Sequence, residues 1–276
     1  TDIKAMEWYL EAAKQGHSEA AANIGVLYYH GKGVPQDKTE AMKWMGKSTG
    51  ADIAERGTAI PHYNLGNMYY EGKGVSQNYT KAVEWYHEAA ARGLKEAQCS
   101  LGTLYRLGRG IPQNGTEAVK WFGKAAKQGS VPAQFNLGLM YANGNGVPQD
   151  FTEAAKWYRQ AAEQGDADAQ KLLGVMYLRG EGVLQDYKEA IKWNLKAAEQ
   201  GLADAQFNLG AMYSTGDGVP KDYVTACTWC NLAAAQGNER AKKLRSALFE
   251  LMNKEQIKES LKLSREWMAK HSEKNK

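Results

Sequence analysis

Residues 144–165 read GNGVPQDFTEAAKWYRQAAEQG, a Gly-x-Gly loop running into a helix-forming stretch. Gly144-x-Gly146 ahead of a helix is a spacing at which backbone N–H groups can cradle a phosphate. It is equally the spacing of a tight corner between two helices. The rest of the chain separates the two readings. The pair recurs at Gly31/Gly33, Gly72/Gly74, Gly108/Gly110, Gly180/Gly182 and Gly216/Gly218, and the six pairs are spaced by one step of 41 residues and then four of 36. A Trp keeps the same rhythm at Trp8, Trp44, Trp85, Trp121, Trp157, Trp193 and Trp229. A third series, Gly16, Gly57, Gly93, Gly129, Gly165, Gly201 and Gly237, closes each unit. One grammar repeated this way describes corners of a repeat array. No strand pattern precedes Gly144 and no Lys-Ser/Thr follows Gly146, so the phosphate-loop pattern is missing.

Each unit reads as two antiparallel helices. Helix A runs through AQFNLGLMYANG (133–144), with Ala133, Leu137, Met140 and Tyr141 on one stripe. Helix B runs through FTEAAKWYRQAAEQG (151–165), with Phe151, Ala154, Tyr158, Ala161 and Ala162 as its apolar stripe. An acceptor three residues before Glu opens helix B as a capping box at Asp37/Glu40, Asn114/Glu117, Asp150/Glu153 and Asp186/Glu189. Gly165 and its equivalents stand where a helix ends on a left-handed residue. A glycine inside helix A (Gly25, Gly66, Gly102, Gly138, Gly174, Gly210) costs about 1 kcal/mol against Ala. Close approach to the paired alanines of helix B is the expected compensation. A buried Trp in each unit, hiding ~150–250 Å², would add about 4–6 kcal/mol gross.

The stretch AQFNLGLMYANGNGVPQDFTEAAKWYRQAAEQG resembles the Sel1-like repeat, an α/α solenoid family related to tetratricopeptide repeats, in its bacterial wording. The resemblance covers residues 1–237. It implies an all-α, right-handed superhelix with helix A on the concave side, and non-catalytic binding of proteins. The expected organisation is a half repeat of helix B alone at 1–16 and six repeats at 17–57, 58–93, 94–129, 130–165, 166–201 and 202–237. Capping helices follow at 238–276, with a capping box at Asn253/Gln256. The array opens inside a unit, so further sequence upstream of Thr1 is expected, and a periplasmic or secreted location is slightly favoured over a cytoplasmic one.

Composition narrows the function. The net charge is +4, but residues 241–276 hold 10 basic and 5 acidic residues and the remainder 25 and 26. A uniform basic footprint for nucleic acid is missing, and no run of apolar residues is long enough to insert in a membrane. Three cysteines close no disulfide framework. CTWC (227–230) looks like a redox dithiol, but it lies inside helix B rather than at a helix N-terminus, so small buried thiols are expected. The five histidines make no metal spacing, and HExxH, GxSxG and SxxK are absent. No catalytic residue, metal or cofactor is expected. A cell-wall or β-lactam hydrolase would need a nucleophile–base pair that the sequence does not show.

In a solenoid the repeating positions build the scaffold and the varying ones face a ligand. On helix A the varying stripe lies three residues before, one after and four after the central glycine. It contains Tyr29, Tyr63, Asn67, Tyr70, Arg106, Phe135, Leu139, Lys171, Leu178 and Phe207. Beside it Asn23, Asn64, Asn136 and Asn208 form an amide ladder, suited to a partner's backbone or to tying neighbouring helices. Packing against adjacent repeats competes with binding for the whole stripe. The expected function is a protein-interaction scaffold. The family resemblance offers narrower versions: an immunity protein that neutralises a secreted toxin, or an exported protein that binds a host protein. Self-association through solenoid edges, an insertion between Trp44 and Gly57 acting as a binding face, and an acidic partner on the basic C-terminal cap remain open.

Overall fold

The computed structural model describes residues 2–47, 59–73 and 75–272. Ser48, Thr49 and Gly50 of the insertion lie outside the described residues. All described elements are helices, in two compact units comprising residues 1–140 with 144–148 and residues 141–143 with 149–276. The first holds α1 (Asp2–Lys14), α2 (Ser18–His30), α3 (Lys38–Lys47), α4 (Ala59–Glu71), α5 (Tyr79–Ala91), α6 (Lys95–Leu107), α7 (Gly115–Lys127) and most of α8 (Val131–Asn143). The second holds α9 (Phe151–Glu163), α10 (Ala167–Arg179), α11 (Tyr187–Glu199), α12 (Ala203–Thr215), α13 (Tyr223–Ala235), α14 (Glu239–Leu251) and α15 (Lys254–Ser272). Even numbers from α2 to α12 are helix A, and odd numbers from α1 to α13 are helix B.

The corner between α10 and α11 shows what the repeated letters do. Gly180 adopts φ 72°, and its N–H donates to the Met176 carbonyl at 2.8 Å. The Asp186 N–H reaches the Tyr177 carbonyl at 3.0 Å, and Gln185 Nε2 donates to the Leu178 carbonyl at 2.9 Å. The last carbonyls of helix A are thereby satisfied within the corner. Asp186 Oδ1 then accepts from the N–H groups of Lys188 and Glu189 and starts α11. The same glutamine bond is made by Gln36, Gln77, Gln113 and Gln149.

Only half of each expected helix B capping box forms. The Asp186 N–H is already held by the Tyr177 carbonyl, so Glu189 turns away to Lys192 Nζ (2.7 Å) and Trp193 Nε1 (3.0 Å). Asn253 and Gln256 do form the reciprocal pair, at 2.9 and 3.0 Å. The second corner glycine joins repeats. A Cβ on Gly182 would fall on the Phe151 carbonyl, the first residue of the preceding helix B.

The core follows the expected helix A stripe. Leu65, Leu101, Leu173 and Leu209 are fully buried, as are Ala97, Ala169 and Ala205. The glycine compensation differs from expectation. The residue opposite Gly102 is Phe122, one place after the Trp, and a Cβ on the glycine would stand 2.6 Å from the Phe122 ring. Other repeats put Met45, Tyr86, Asn194 or Cys230 there, against Gly25, Gly66, Gly174 and Gly210. The paired alanines instead give helix B its close contact with the next helix A. Gln98 Nε2 donates to the Ala90 carbonyl (3.2 Å), and Gln128 Nε2 to Gln98 Oε1 (2.8 Å). In the second unit Gln170, Gln200, Gln206 and Gln236 repeat this ladder, with Gln170 and Gln206 buried. Sequence reading had given these glutamines no role.

The Trp expectation also needs correcting. Trp193 is buried, but Trp8 is 78% exposed, and Phe151 of the predicted helix B stripe is exposed as well. The side chains of Trp85 and Trp121 are half-buried because they sit in joints between repeats. Trp85 meets the rings of Tyr29 and His62 at 5.3 and 5.4 Å, and Trp121 meets His87 at 5.5 Å.

Histidines join the first unit's repeats. His30 Nε2 lies 3.3 Å from Tyr69 Oη, and His87 Nε2 lies 3.4 Å from Tyr105 Oη. Burial lowers the pKa of both. Lys32 and Lys81 lower that of His30 further, and at His87 Lys124 acts the same way while Glu117 and Glu88 oppose it. A histidine whose folded pKa lies below its unfolded value contributes stability above that unfolded value, and the contribution is lost as pH falls. Urea midpoints are therefore expected to drop between about pH 7 and pH 5, and to drop less in a His30→Gln/His87→Gln variant. An equal drop in both proteins would contradict this assignment.

Candidate protein-binding surface

The varying helix A stripe is half-buried along most of its length, so its side chains both pack and face outward. In the first unit Tyr29 meets Trp85, Tyr63 lies 5.5 Å from the Tyr86 ring, and Tyr70 lies 5.3 Å from Tyr79. Asn67 Oδ1 accepts from the Tyr86 hydroxyl at 2.7 Å, which fixes that ring beneath Gly66. The Tyr70 hydroxyl accepts from Arg109 Nη1 at 3.3 Å, across the joint between two repeats. The hydroxyls of Tyr29 and Tyr63 make no hydrogen bond within the described residues. Arg106, in the last turn of α6, has a buried Nε without a partner. Phe135 and Leu139 are half-buried on α8.

The second unit's stripe is less aromatic. Lys171 pairs with Asp168 at 2.9 Å, and Leu178 is half-buried. Phe207 is only 9% exposed, because the Arg240 guanidinium covers its ring at 4.2 Å. The structure thus brings Tyr29, Tyr63, Asn67, Tyr70 and Arg106 onto successive A helices of one unit and withdraws Phe207 from the surface.

The amides divide their work. Asn64 Nδ2 donates to the Met45 carbonyl at 3.3 Å and Asn208 Nδ2 to Asn194 Oδ1 at 3.0 Å, each tying helix A to the preceding helix B. Asn136 Nδ2 donates to its own turn at the Pro132 carbonyl, and Asn23 is half-buried on α2. Arg109 is a surface residue that sequence reading missed. Its signal was the middle position of the corner, which is Lys32, Lys73 and Arg109 in the first three repeats and Glu181 and Asp217 in the last two.

The two thiols of CTWC are packing groups. Both are fully buried inside α13, where Cys227 Sγ accepts from Ser260 Oγ at 3.3 Å and Cys230 packs over Gly210. Burial raises the Cys227 pKa. Burial, with Cys227 beside it, pushes the Cys230 thiol up to about 12. Neither is expected to react with a thiol reagent in the native protein at mildly alkaline pH, and both should react after denaturation. Rapid native labelling would contradict the packing role. Among the described residues no group of three or more His, Cys, Asp or Glu side chains could hold a metal ion, and no helix is long and apolar enough to cross a membrane.

Stacked helix pairs, glycine corners and a varying helix A stripe define an α/α solenoid of the kind that presents a binding surface. The chain belongs to the Sel1 repeat family, whose model matches residues 2–17, 18–49, 62–94, 95–130, 131–166, 167–202 and 203–238. Among solved structures it resembles a protective antigen with the SLR fold, present in uropathogenic Escherichia coli strains. The two are 34% identical over 96% of this chain and 56% of the antigen, with a TM-score of 0.73. This chain therefore spans little more than half of that protein. A Sel1 repeat protein from Oxalobacter formigenes is 33% identical over 95% of this chain and 76% of its own, with a TM-score of 0.66. An immunity protein from Pseudomonas aeruginosa matches at 21% identity over 76% of this chain and 82% of its own, with a TM-score of 0.42, a likeness too slight to bear on function. No curated protein matches in sequence. Sel1 repeat proteins generally mediate protein–protein interaction and are generally non-catalytic.

Proposed function

We propose that this protein is a non-catalytic scaffold that takes up a partner protein or peptide on its helix A surface, with the main contacts in the first unit. The observation that carries this reading is the row of Tyr29, Tyr63 and Tyr70, half-buried rings of which two keep their hydroxyls unbonded. Aromatic side chains with an apolar body and a polar tip are what interface anchors use. Toxin neutralisation and host-protein binding are two narrower versions, and they differ in what the partner does by itself.

The test is recovery of partners from the source organism with the wild-type chain and with a Tyr63→Ala/Tyr70→Ala/Phe135→Ala variant as baits. Circular dichroism must show both to be folded. A partner retained by the wild type and lost by the variant supports the reading. If that partner is toxic when expressed alone, the immunity version follows. Identical recovery by both baits overturns the helix A assignment.

A further inference from the structure

We infer that the partner segment carries a carboxylate, held by Arg106 beside the aromatic row. This deepens the helix A reading and rests on it. Arg106 ends the stripe on α6, at the position that Tyr70 occupies one repeat earlier and Tyr29 two repeats earlier. Its guanidinium makes no hydrogen bond or ion pair within the described residues, and its Nε is shut off from water. The two Nη groups are not enclosed with Nε and have no acceptor among the described residues, so they are the nitrogens that can meet a ligand carboxylate. On the B helices α7, α9 and α11 an exposed lysine pairs with a glutamate three residues earlier, in Lys120–Glu117, Lys156–Glu153 and Lys192–Glu189, whereas Arg106 has no such neighbour.

Nothing on the stripe supplies the missing anion. No repeat has Asp or Glu at any of its three stripe positions, although the chain holds 31 acidic residues. Arg109 follows two residues beyond the end of α6, donating to the Tyr70 hydroxyl and lying over the Tyr79 ring at 5.8 Å, also without a carboxylate. The first unit therefore presents the Arg106 guanidinium at the end of the stripe and, three residues on, that of Arg109 beside Tyr70 and Tyr79. Guanidinium forks match carboxylates in geometry as well as charge. The fitting occupant is an extended segment with Asp, Glu or a terminal carboxylate near an aromatic or aliphatic residue.

A displayed library of short random peptides, panned on the wild-type chain, reads this directly. The expected result is enrichment of Asp or Glu at a fixed spacing from an apolar residue. Synthetic copies of the enriched peptide should bind at least about tenfold more weakly to Arg106→Gln. A similar loss should follow replacement of the peptide's acid by its amide, and Arg106→Lys should restore only part of the affinity. Unchanged melting of the Arg106→Gln protein separates lost contact from lost fold. Acidic peptides indifferent to Arg106→Gln overturn the inference. Peptides without acidic enrichment that fail on Tyr63→Ala/Tyr70→Ala overturn it too, but leave the helix A reading standing. Peptides indifferent to both variants, or no enriched peptide at all, overturn both. Self-association of the chain that Arg106→Gln abolishes would make a second copy the occupant and also count against it.

Discussion

Replacing Gly182 with Ala is expected to destabilise the second unit by about 2–5 kcal/mol. Part of this is the left-handed backbone, φ +68°, at roughly 1–2 kcal/mol for a residue with a Cβ. The rest is overpacking, roughly 1–3 kcal/mol, because the methyl lands on the Phe151 carbonyl and main chain on both sides resists movement. Gly165 supplies the control. It also has positive φ, +98°, but nothing lies within 4 Å of its virtual Cβ. Gly165→Ala should therefore cost only the backbone share, about 1–2 kcal/mol. Thermal melting of the two variants beside the wild type checks the ranking. Equal losses would mean that Gly182 serves only as a turn and that repeats are joined elsewhere.

Phe122→Ala is expected to cost about 3–5 kcal/mol, the range for emptying a well-packed aromatic site. Phe122 is fully buried beneath Gly102. Gly102→Ala alone should cost roughly 1–3 kcal/mol by pressing its methyl into the ring, less the ~1 kcal/mol of helix propensity that Ala gains over Gly. The two losses should not add. In the double variant the methyl added at position 102 enters space left by the ring, so the combined cost should fall short of the sum. Additive losses, read from urea unfolding, would deny that the two positions share one contact.

The fold was readable because its devices are periodic and local. Glycine steps, the Leu and Ala stripe of helix A and the Asx caps each announce themselves within one repeat. What escaped was pairing across repeats. The bonds of Gln98 with Gln128 and of Gln170 with Gln200 join residues 30 positions apart, and nothing local marks them. The weight placed on Trp was misplaced for the same reason. Its periodicity is visible, but whether Trp85 is buried depends on Tyr29 in another repeat. The helix A glycine reads from sequence as a site of close approach, with the alanine pair as its expected partner. The actual partner varies from Met45 to Phe122 to Cys230 and so leaves no fixed letter.

The surface was readable in part. Variation along the stripe singled out Tyr63, Tyr70 and Arg106, which do share one unit. It also singled out Phe207, which Arg240 of α14 covers, because the contact comes from outside the repeat pattern. Asn64 and Asn208 could not be resolved by composition, since an amide serves a partner or a neighbouring carbonyl equally well.

Backbone hydrogen exchange of the chain, free and saturated with its recovered partner, tests the central claim most directly. The account predicts added protection in α2, α4 and α6, centred on Tyr29, Tyr63, Tyr70 and Arg106, with little change along helix B. Protection confined to α3, α5 and α7, or to the C-terminal helices α14 and α15, would contradict it.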